Sequence, residues 1–254
     1  MIRHVVQYSG GVGSWAAAKR VALKHGREHL TLLFADVKDE DPDLYRFLNE
    51  GAANIGVPVT TISEGRTPRQ LMSDEKFIGN SRMDPCSKIL KRQLLDKWFV
   101  DNCDPHETVR YIGIDWTEIN RFQTFKERMA PWYCVAPLCD SLPMSKYDAF
   151  RWLAEEGIEP PRLYRFGFSH NNCGGACIKA GQGQWAKLLE YLPDLYRSWE
   201  DWEERMRTEV GNHSILRDRS GGQSRPLTLR NFRLRLENKE PHDKHDIGGC
   251  GCAL

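Results

Sequence analysis

A strand, a glycine-rich turn and a helix follow one another within the first 25 residues, and this junction constrains the rest of the chain. His4-Val5-Val6-Gln7-Tyr8 is a β-branched and aromatic run that predicts a strand. Ala16 to Lys24 holds strong helix formers and no breaker before Gly26, which predicts a helix. Between them stands Ser9-Gly10-Gly11-Val12-Gly13-Ser14. At such a junction the unpaired backbone N–H groups and the positive end of the helix dipole face outward and form an anion site. Glycine lets the backbone approach a phosphate, and Ser9 and Ser14 can add hydroxyl donors. The spacing lacks the Gly-Lys-Ser/Thr ending of a Walker loop and does not fit Gly-x-Gly-x-x-Gly. The plainer alternative is an ordinary glycine-rich turn.

The elements that follow read as an α/β chain. Leu30-Thr31-Leu32-Leu33-Phe34-Ala35 is a nearly continuous apolar run, as in a buried parallel strand, and ends in Asp36. Pro42-Asp43 opens a helix with Leu44, Phe47, Leu48, Ala52 and Ile55 on one face, closed by Gly56. Residues 57–62 predict a third strand. Asp84-Pro85 begins a helix running to about Phe99, with Ile89, Leu90, Leu94, Leu95 and Trp98 inward. Residues 108–114 predict a fourth strand ending in Asp115, and residues 133–138 a fifth. A helix over 145–156 is capped by Ser145 with Asp148 at the third position. This order predicts a doubly wound, mostly parallel five-stranded sheet with helices on both faces. Asp36 and Asp115 then lie at its ligand edge.

Here the chain resembles the PP-loop, or adenine-nucleotide alpha-hydrolase, superfamily and its phosphoadenosine phosphosulfate (PAPS) reductase branch. The resemblance runs in order over about residues 1–180: Ser9-Gly10-Gly11-x-x-Ser14; Phe34-Ala35-Asp36; Cys86-Ser87-Lys88 with Lys91-Arg92; Gly113-Ile114-Asp115 with Arg121; Ala136-Pro137-Leu138; and Leu163-Tyr164 through Gly167-Phe168 into Cys173 and Cys177. It implies that Ser9, Gly10, Gly11, Val12, Gly13, Ser14 and Gly113 cradle ATP or PAPS with Mg2+. Asp36 and Asp115 would contact ribose or metal, and Lys88, Lys91 and Arg121 phosphate or substrate. The chain departs from the family where Gly13 replaces the usual Asp. It also has a single Cys86 instead of paired cysteines, and its cysteine pair is stretched to Cys173-Gly174-Gly175-Ala176-Cys177.

Cys173, Cys177, Cys250 and Cys252 form one candidate set of four thiolates for a four-iron four-sulfur cluster or Zn2+. Cys86 with Cys173, Cys177 and one terminal cysteine forms the other, and this one fits the family pattern better. Separate reduced cysteines are the alternative. His170, His242 and His245 could be further ligands or ordinary loop histidines. Cys103, Cys134 and Cys139 read as small buried hydrophobes.

Residues 181–254 form a helical and basic extension to the nucleotide-binding domain of 1–180. Gly181 to Val210 is amphipathic and breaks near Pro193, with Trp185, Leu188, Leu189, Leu192, Leu195, Tyr196, Trp199 and Trp202 as its apolar stripe. His213 to Arg235 carries Arg217, Arg219, Arg225, Arg230, Arg233 and Arg235 against the single acid Asp218. Arginine forks suit phosphate, so the segment grips a nucleic-acid acceptor or forms a salt-bridged surface. Its alternating Leu227-Thr228-Leu229 and Phe232 to Leu236 indicate that it is folded, returning Cys250 and Cys252 toward the site.

Lysine plus arginine number 36 against 35 acids, for a net charge of +1, so global charge favours no polyanionic partner. No stretch is apolar and long enough to span a membrane and no leader pattern opens the chain, which predicts a soluble cytoplasmic protein with no membrane partner. The leading expectation is an enzyme that binds ATP, adenylates an acceptor with release of pyrophosphate and supports sulfur transfer at a cysteine-ligated metal site, served by a sulfur-donor protein. One alternative is reduction of a sulfonucleotide (PAPS or its unphosphorylated analogue). The other is a non-catalytic, zinc-containing nucleic-acid-binding protein.

Overall fold

A computed structural model of the chain describes residues 1–79 and 84–249. Its elements run β1 (Arg3–Gln7), α1 (Val12–His25), β2 (Leu30–Ala35), α2 (Pro42–Ile55), β3 (Val59–Ile62) and α3 (Pro68–Asp74). A π-helix, Ser87–Gln93, leads into α4 (Leu94–Asn102), followed by β4 (Thr108–Tyr111), α5 (Ile119–Arg128), β5 (Tyr133–Val135), α6 (Lys146–Glu155) and α7 (Arg162–Arg165). The C-terminal part holds α8 (Gln182–Tyr191), α9 (Pro193–Val210), the hairpin of β6 (Leu216–Asp218) and β7 (Arg225–Leu227), and α10 (Leu229–Glu237).

The five strands form one sheet in the order β3-β2-β1-β4-β5, and every pairing is parallel. Successive side chains of a strand point to opposite faces, and β1 shows the consequence. Val6 and Tyr8 pack with Trp15 of α1, Leu44 and Phe47 of α2, and Ala149 and Leu153 of α6. Val5, with Leu33 of β2, packs against Phe99 and Leu95 of α4 on the other face. The chain leaves β1 toward β2 and β3, then returns to β4 on β1's other side. That reversal puts the switch point between β1 and β4, where the strand ends splay and a crevice opens.

Local sequence accounts for the boundaries. Asp41 caps α2 by accepting from the Asp43 amide, and Gly56 ends it in a left-handed conformation. Ser145 and Asp148 close a full capping box on α6. Proline at position 193 separates α8 from α9 as expected, because it cannot continue the first helix and suits the start of the second. The stripe of the extension is core: Trp185, Leu188, Tyr196, Trp199 and Trp202 are buried together with Leu163 and Phe168.

Two expectations need correction. The helix expected from Asp84 begins as a π-helix, so its side chains rotate away from the α-helical pattern before α4 starts. The fourth and fifth strands are shorter than their apolar runs. After Ile112 donates to the Val135 carbonyl the two strands part, meeting again in an isolated bridge between Asp115 and Leu138. Phe232 to Leu236 lies on α10, so the segment is folded as expected. No helix among the described residues is long and apolar enough to cross a membrane.

Candidate functional site

The loop Ser9–Ser14 joins β1 to α1 at the switch point. Gly10 holds φ of 75°, a left-handed conformation that favours glycine, and a Cβ there would stand 2.9 Å from Leu44 of α2. Gly11 occupies the N-cap of α1 with no side chain bonded to the helix end. Ser14 is buried and donates to the Gly11 carbonyl at 2.8 Å, which ties the first turn to the loop. The remaining amides of that turn have no partner within the helix.

Beside the loop stands Gly113, just past β4. A Cβ on Gly13 would lie 2.8 Å from the Gly113 carbonyl oxygen, and a Cβ on Gly113 would lie 2.6 Å from the Ser14 backbone. The two glycines therefore let α1 and the end of β4 meet backbone to backbone. An aspartate at position 13 has no room in this packing.

Two clefts flank the loop and share Ser9, Ser14, Gly113 and Asn172. The first lies over the ends of β1, β2 and β4, among Gln7, Leu33, Phe34, Ile112, Ile114 and Lys91. Lys91 sits on the π-helix with its ammonium 3.2 Å from the fully buried Glu40 carboxylate. The other oxygen of Glu40 accepts from the Cys173 amide, which ties the cysteine loop to the cleft. Burial of such a pair is tolerated because the two charges meet each other and the carboxylate accepts a further hydrogen bond from the backbone.

The second cleft is lined by Asp115, Glu118, Arg121, Lys146, His170 and Asn171, among others. Asp115 caps a short 3-10 turn by accepting from the Thr117 amide at 2.8 Å. Arg121 donates to Glu118. Lys146, first residue of α6, lies 4.7 Å from the Tyr164 ring centroid and donates to the Ser169 carbonyl. Burial holds its ammonium below the usual lysine pKa, opposed by the Glu118 and Asp115 carboxylates. Asn171 is 2% exposed and donates through Nδ2 to the Gly10 carbonyl at 3.1 Å, while its buried Oδ1 has no hydrogen-bond partner among the described residues. The arrangement joins a glycine-rich loop at a helix start to charged groups of both signs and an acceptor oxygen with no donor among the described residues.

Asp115, Arg121, Ser9, Gly11, Gly13, Ser14 and Gly113 are thus brought to one cleft, and Lys91 to its neighbour. Val12 is buried at the start of α1. Asp36 and Lys88 stand apart. The Asp36 carboxylate accepts from Tyr45 Oη and the Lys38 amide, both at 2.8 Å, and lines neither cleft. Burial, then the hydrogen bond to Asp36, pushes the Tyr45 phenol up. Lys88 is exposed one turn before Lys91 and also lines neither cleft. Sequence reasoning missed Gln7, Glu40, Glu118, Lys146, Asn171 and Asn172. Lys146 carried a signal, since it directly follows the cap Ser145 at a helix start.

The cysteines gather behind the same wall. Cys86 packs against the buried cluster that holds Cys173, and Cys86 and Cys177 both pack on the C-terminal core. Cys173 holds φ of 53°, followed by Gly174 and Gly175 at 56° and 84°. A non-glycine residue in that region costs about 1–2 kcal/mol. The tail returns: Gly183 donates to the Asp246 carbonyl and Gly249 to that of Lys179. Ile247 and Gly249 line a small cavity with Cys177 and His170. Among the described residues no three His, Cys, Asp or Glu side chains are placed to hold a metal ion. Cys250 and Cys252 lie outside the described residues. Cys134 is buried, and Cys103 and Cys139 are half-buried against hydrophobic clusters.

Of the six arginines in the basic segment, four reach carboxylates: Arg233 grips Glu200 at 2.8 Å, Arg235 grips Asp218 at 2.8 Å, Arg230 lies 3.6 Å from Glu200, and Arg219 3.6 Å from Asp246. His242 stacks edge-on against Phe232.

No family model matches the chain, and no curated protein does. Among solved structures it is similar to the phosphoadenylyl-sulfate (PAPS) reductase from Candida auris, solved as a phosphate complex. The TM-score is 0.45 and the sequence identity 10%, over 66% of this chain and 80% of that chain.

Proposed function

We propose that this chain is a PP-loop enzyme that binds ATP at Ser9–Ser14 and adenylates an acceptor held in the cleft of Asp115, Glu118, Arg121 and Lys146. The observation that carries the reading is the uncapped N-terminus of α1 at the β1/β4 switch point, opening on a cleft with acids, bases and an orphaned Asn171 Oδ1. Backbone amides and the helix dipole would hold the phosphates, with Mg2+ offsetting their charge. An acceptor oxygen would attack the α-phosphorus, forming a new O–P bond. The bond to the β-phosphate oxygen breaks, pyrophosphate leaves with its electron pair, and the acceptor's proton passes to solvent or a cleft base.

Cys86, Cys173, Cys177 and one terminal cysteine are the thiolates we assign to a cluster or zinc site. Cys86 shares apolar clusters with each of the other two, and the tail runs beside Cys177 as far as Gly249. Four thiolates have the donor chemistry of a zinc or iron–sulfur site, but Cys86, Cys173 and Cys177 are not placed around one ion in this structure and would have to draw together to share it. Pyrophosphate release on addition of ATP tests the reading. Release that Ser9→Ala and Ser14→Ala each lower at least about tenfold, as loss of phosphate donors would, supports it. Absence of release with a panel of nucleic-acid and small-molecule acceptors would reject turnover at this loop.

A further inference from the structure

On the sheet face that carries α1, β4 and β5 are left partly uncovered beside the second half of that helix. Val21 and Tyr111 belong to the buried core there, yet Tyr133 at the start of β5 is 63% exposed, and Ile2, Leu23 and Leu142 are exposed as well. These six residues, with His4 and His25, line a groove of about 750 Å³. Small-molecule sites span about 300–1,000 Å³. The groove shares no residue with either cleft beside the glycine-rich loop.

Arg20 of α1 gives the groove its charge. Its Nη1 donates to the Pro137 carbonyl at 3.0 Å and to the Leu142 carbonyl, which uses both hydrogens of that nitrogen. Its Nε and Nη2 meet no acceptor, and its charge meets no carboxylate, among the described residues. That free edge carries two parallel donors, the arrangement that grips a carboxylate. The other groove cation, Lys24, is already opposed by Asp140 at 3.7 Å. Burial first, then neighbouring basic groups, hold His4 and His25 below the usual imidazole value, so neither adds a charge at pH 7. The two imidazoles stack with centroids 4.2 Å apart, and Tyr133 adds a third ring to the lining. Flat rings pack best on a flat partner.

We infer that this groove binds a small aryl carboxylate, its ring against Tyr133 and the stacked histidines and its carboxylate on the free edge of Arg20. One unopposed guanidinium matches one negative charge and not a triphosphate. The inference is independent of the nucleotide reading.

Titration calorimetry with 2-naphthoate, its neutral amide and octanoate tests it. Naphthoate should bind with a Kd of about 0.1–1 mM, the scale for a ligand of its size. The amide lacks the charge and octanoate lacks the flat face, so each should bind at least about tenfold more weakly. Arg20→Met should lose about tenfold for naphthoate and nothing for the amide. Arg20 also holds the segment after β5, so Leu142→Glu supplies a second reading. Its exposed side chain adds a like charge beside the ligand, which should weaken naphthoate about fivefold and leave the amide unchanged. Tyr133→Ala should weaken both.

The inference is overturned if the amide or octanoate binds as tightly as naphthoate, or if Arg20→Met and Leu142→Glu both bind naphthoate like wild type. Displacement of naphthoate by excess inorganic triphosphate would place it at the loop and overturn the assignment too. Absence of naphthoate binding also overturns it, and a dimer in sedimentation that Tyr133→Ala dissociates would then give the groove to a second copy of the chain.

Discussion

Gly113→Ala probes the contact that sets the loop against the sheet. The added methyl would sit 2.6 Å from Ser14 Cα and N and 2.8 Å from the Gly13 carbonyl carbon. Carbon atoms in contact rest at about 3.5–4.0 Å, so the start of α1 and the end of β4 must separate by roughly 1 Å. Every close atom is backbone, and no flexible side chain can swing aside. Overpacking of this kind costs about 1–3 kcal/mol. For a chain of this size each kcal/mol shifts the melting temperature by about 2–4 °C, which places the expected loss at roughly 2–12 °C. The same shift moves the first-turn amides, so triphosphate affinity measured well below the melting transition should fall at least about tenfold, given what 1 Å of misplacement does to oriented groups. Thermal unfolding by circular dichroism and titration calorimetry read the two effects. A variant that melts within 1 °C of wild type, as roughly the resolution of a scan, and binds triphosphate equally well would refute the backbone-to-backbone account.

Further outcomes follow from the buried charges and the cysteines. Glu203 is fully buried and accepts from the Ile215 and Leu229 amides at 2.7 and 2.6 Å, and burial pushes its carboxyl up to about 7. The folded chain thus binds this proton more tightly than the unfolded chain. Its contribution is fully present below the unfolded value of 4.5 and is lost as pH rises through about 7, a change on the order of 3 kcal/mol. Glu203→Gln should flatten urea-denaturation stability across that window, and an unchanged slope would contradict the assignment. Lys91→Met takes the counter-charge from the buried Glu40 carboxylate and should cost about 3–5 kcal/mol, with most of it recovered when Glu40→Leu is added; additive losses would show the pair is not coupled. In anaerobically purified protein, Cys173→Ala should abolish bound iron or zinc, whereas Cys134→Ala should leave the metal content unchanged; equal metal in both variants would dissolve the thiolate site.

The sheet was legible because its strands are apolar runs ended by Asp36, Gly113 or glycine-rich turns, and because β-α-β order leaves few topologies. The loop was legible for a related reason: only glycines and small hydroxyl residues tolerate a backbone that turns so tightly beside α2 and β4. What escaped was whatever depends on contacts across the chain. Lys91 rather than Lys88 reaches the cleft, both on a π-wound segment, and no sequence pattern distinguished the two. Asp36 and Asp115 end their strands alike, yet Tyr45 from α2 engages one while the other caps a 3-10 turn beside the loop. Asn171 and Lys146 come from segments 130 or more residues after the loop, so only the packing of α6 and the segment after α7 on the strand ends brings them to it. The arginine cluster left a phosphate grip and a salt-bridged surface both open, because two of the acids that meet it, Glu200 on α9 and Asp246 near the tail, lie outside the segment.

Hydrogen–deuterium exchange with and without ATP tests the central claim most directly, because it locates the ligand on the chain. Peptides covering residues 7–18, 112–121 and 170–173 should gain protection together, and the large groove of His4, His25 and Tyr111 on the far side of α1 should not change. Protection confined to that groove, or none at saturating ATP, would contradict a nucleotide site at the Ser9–Ser14 loop.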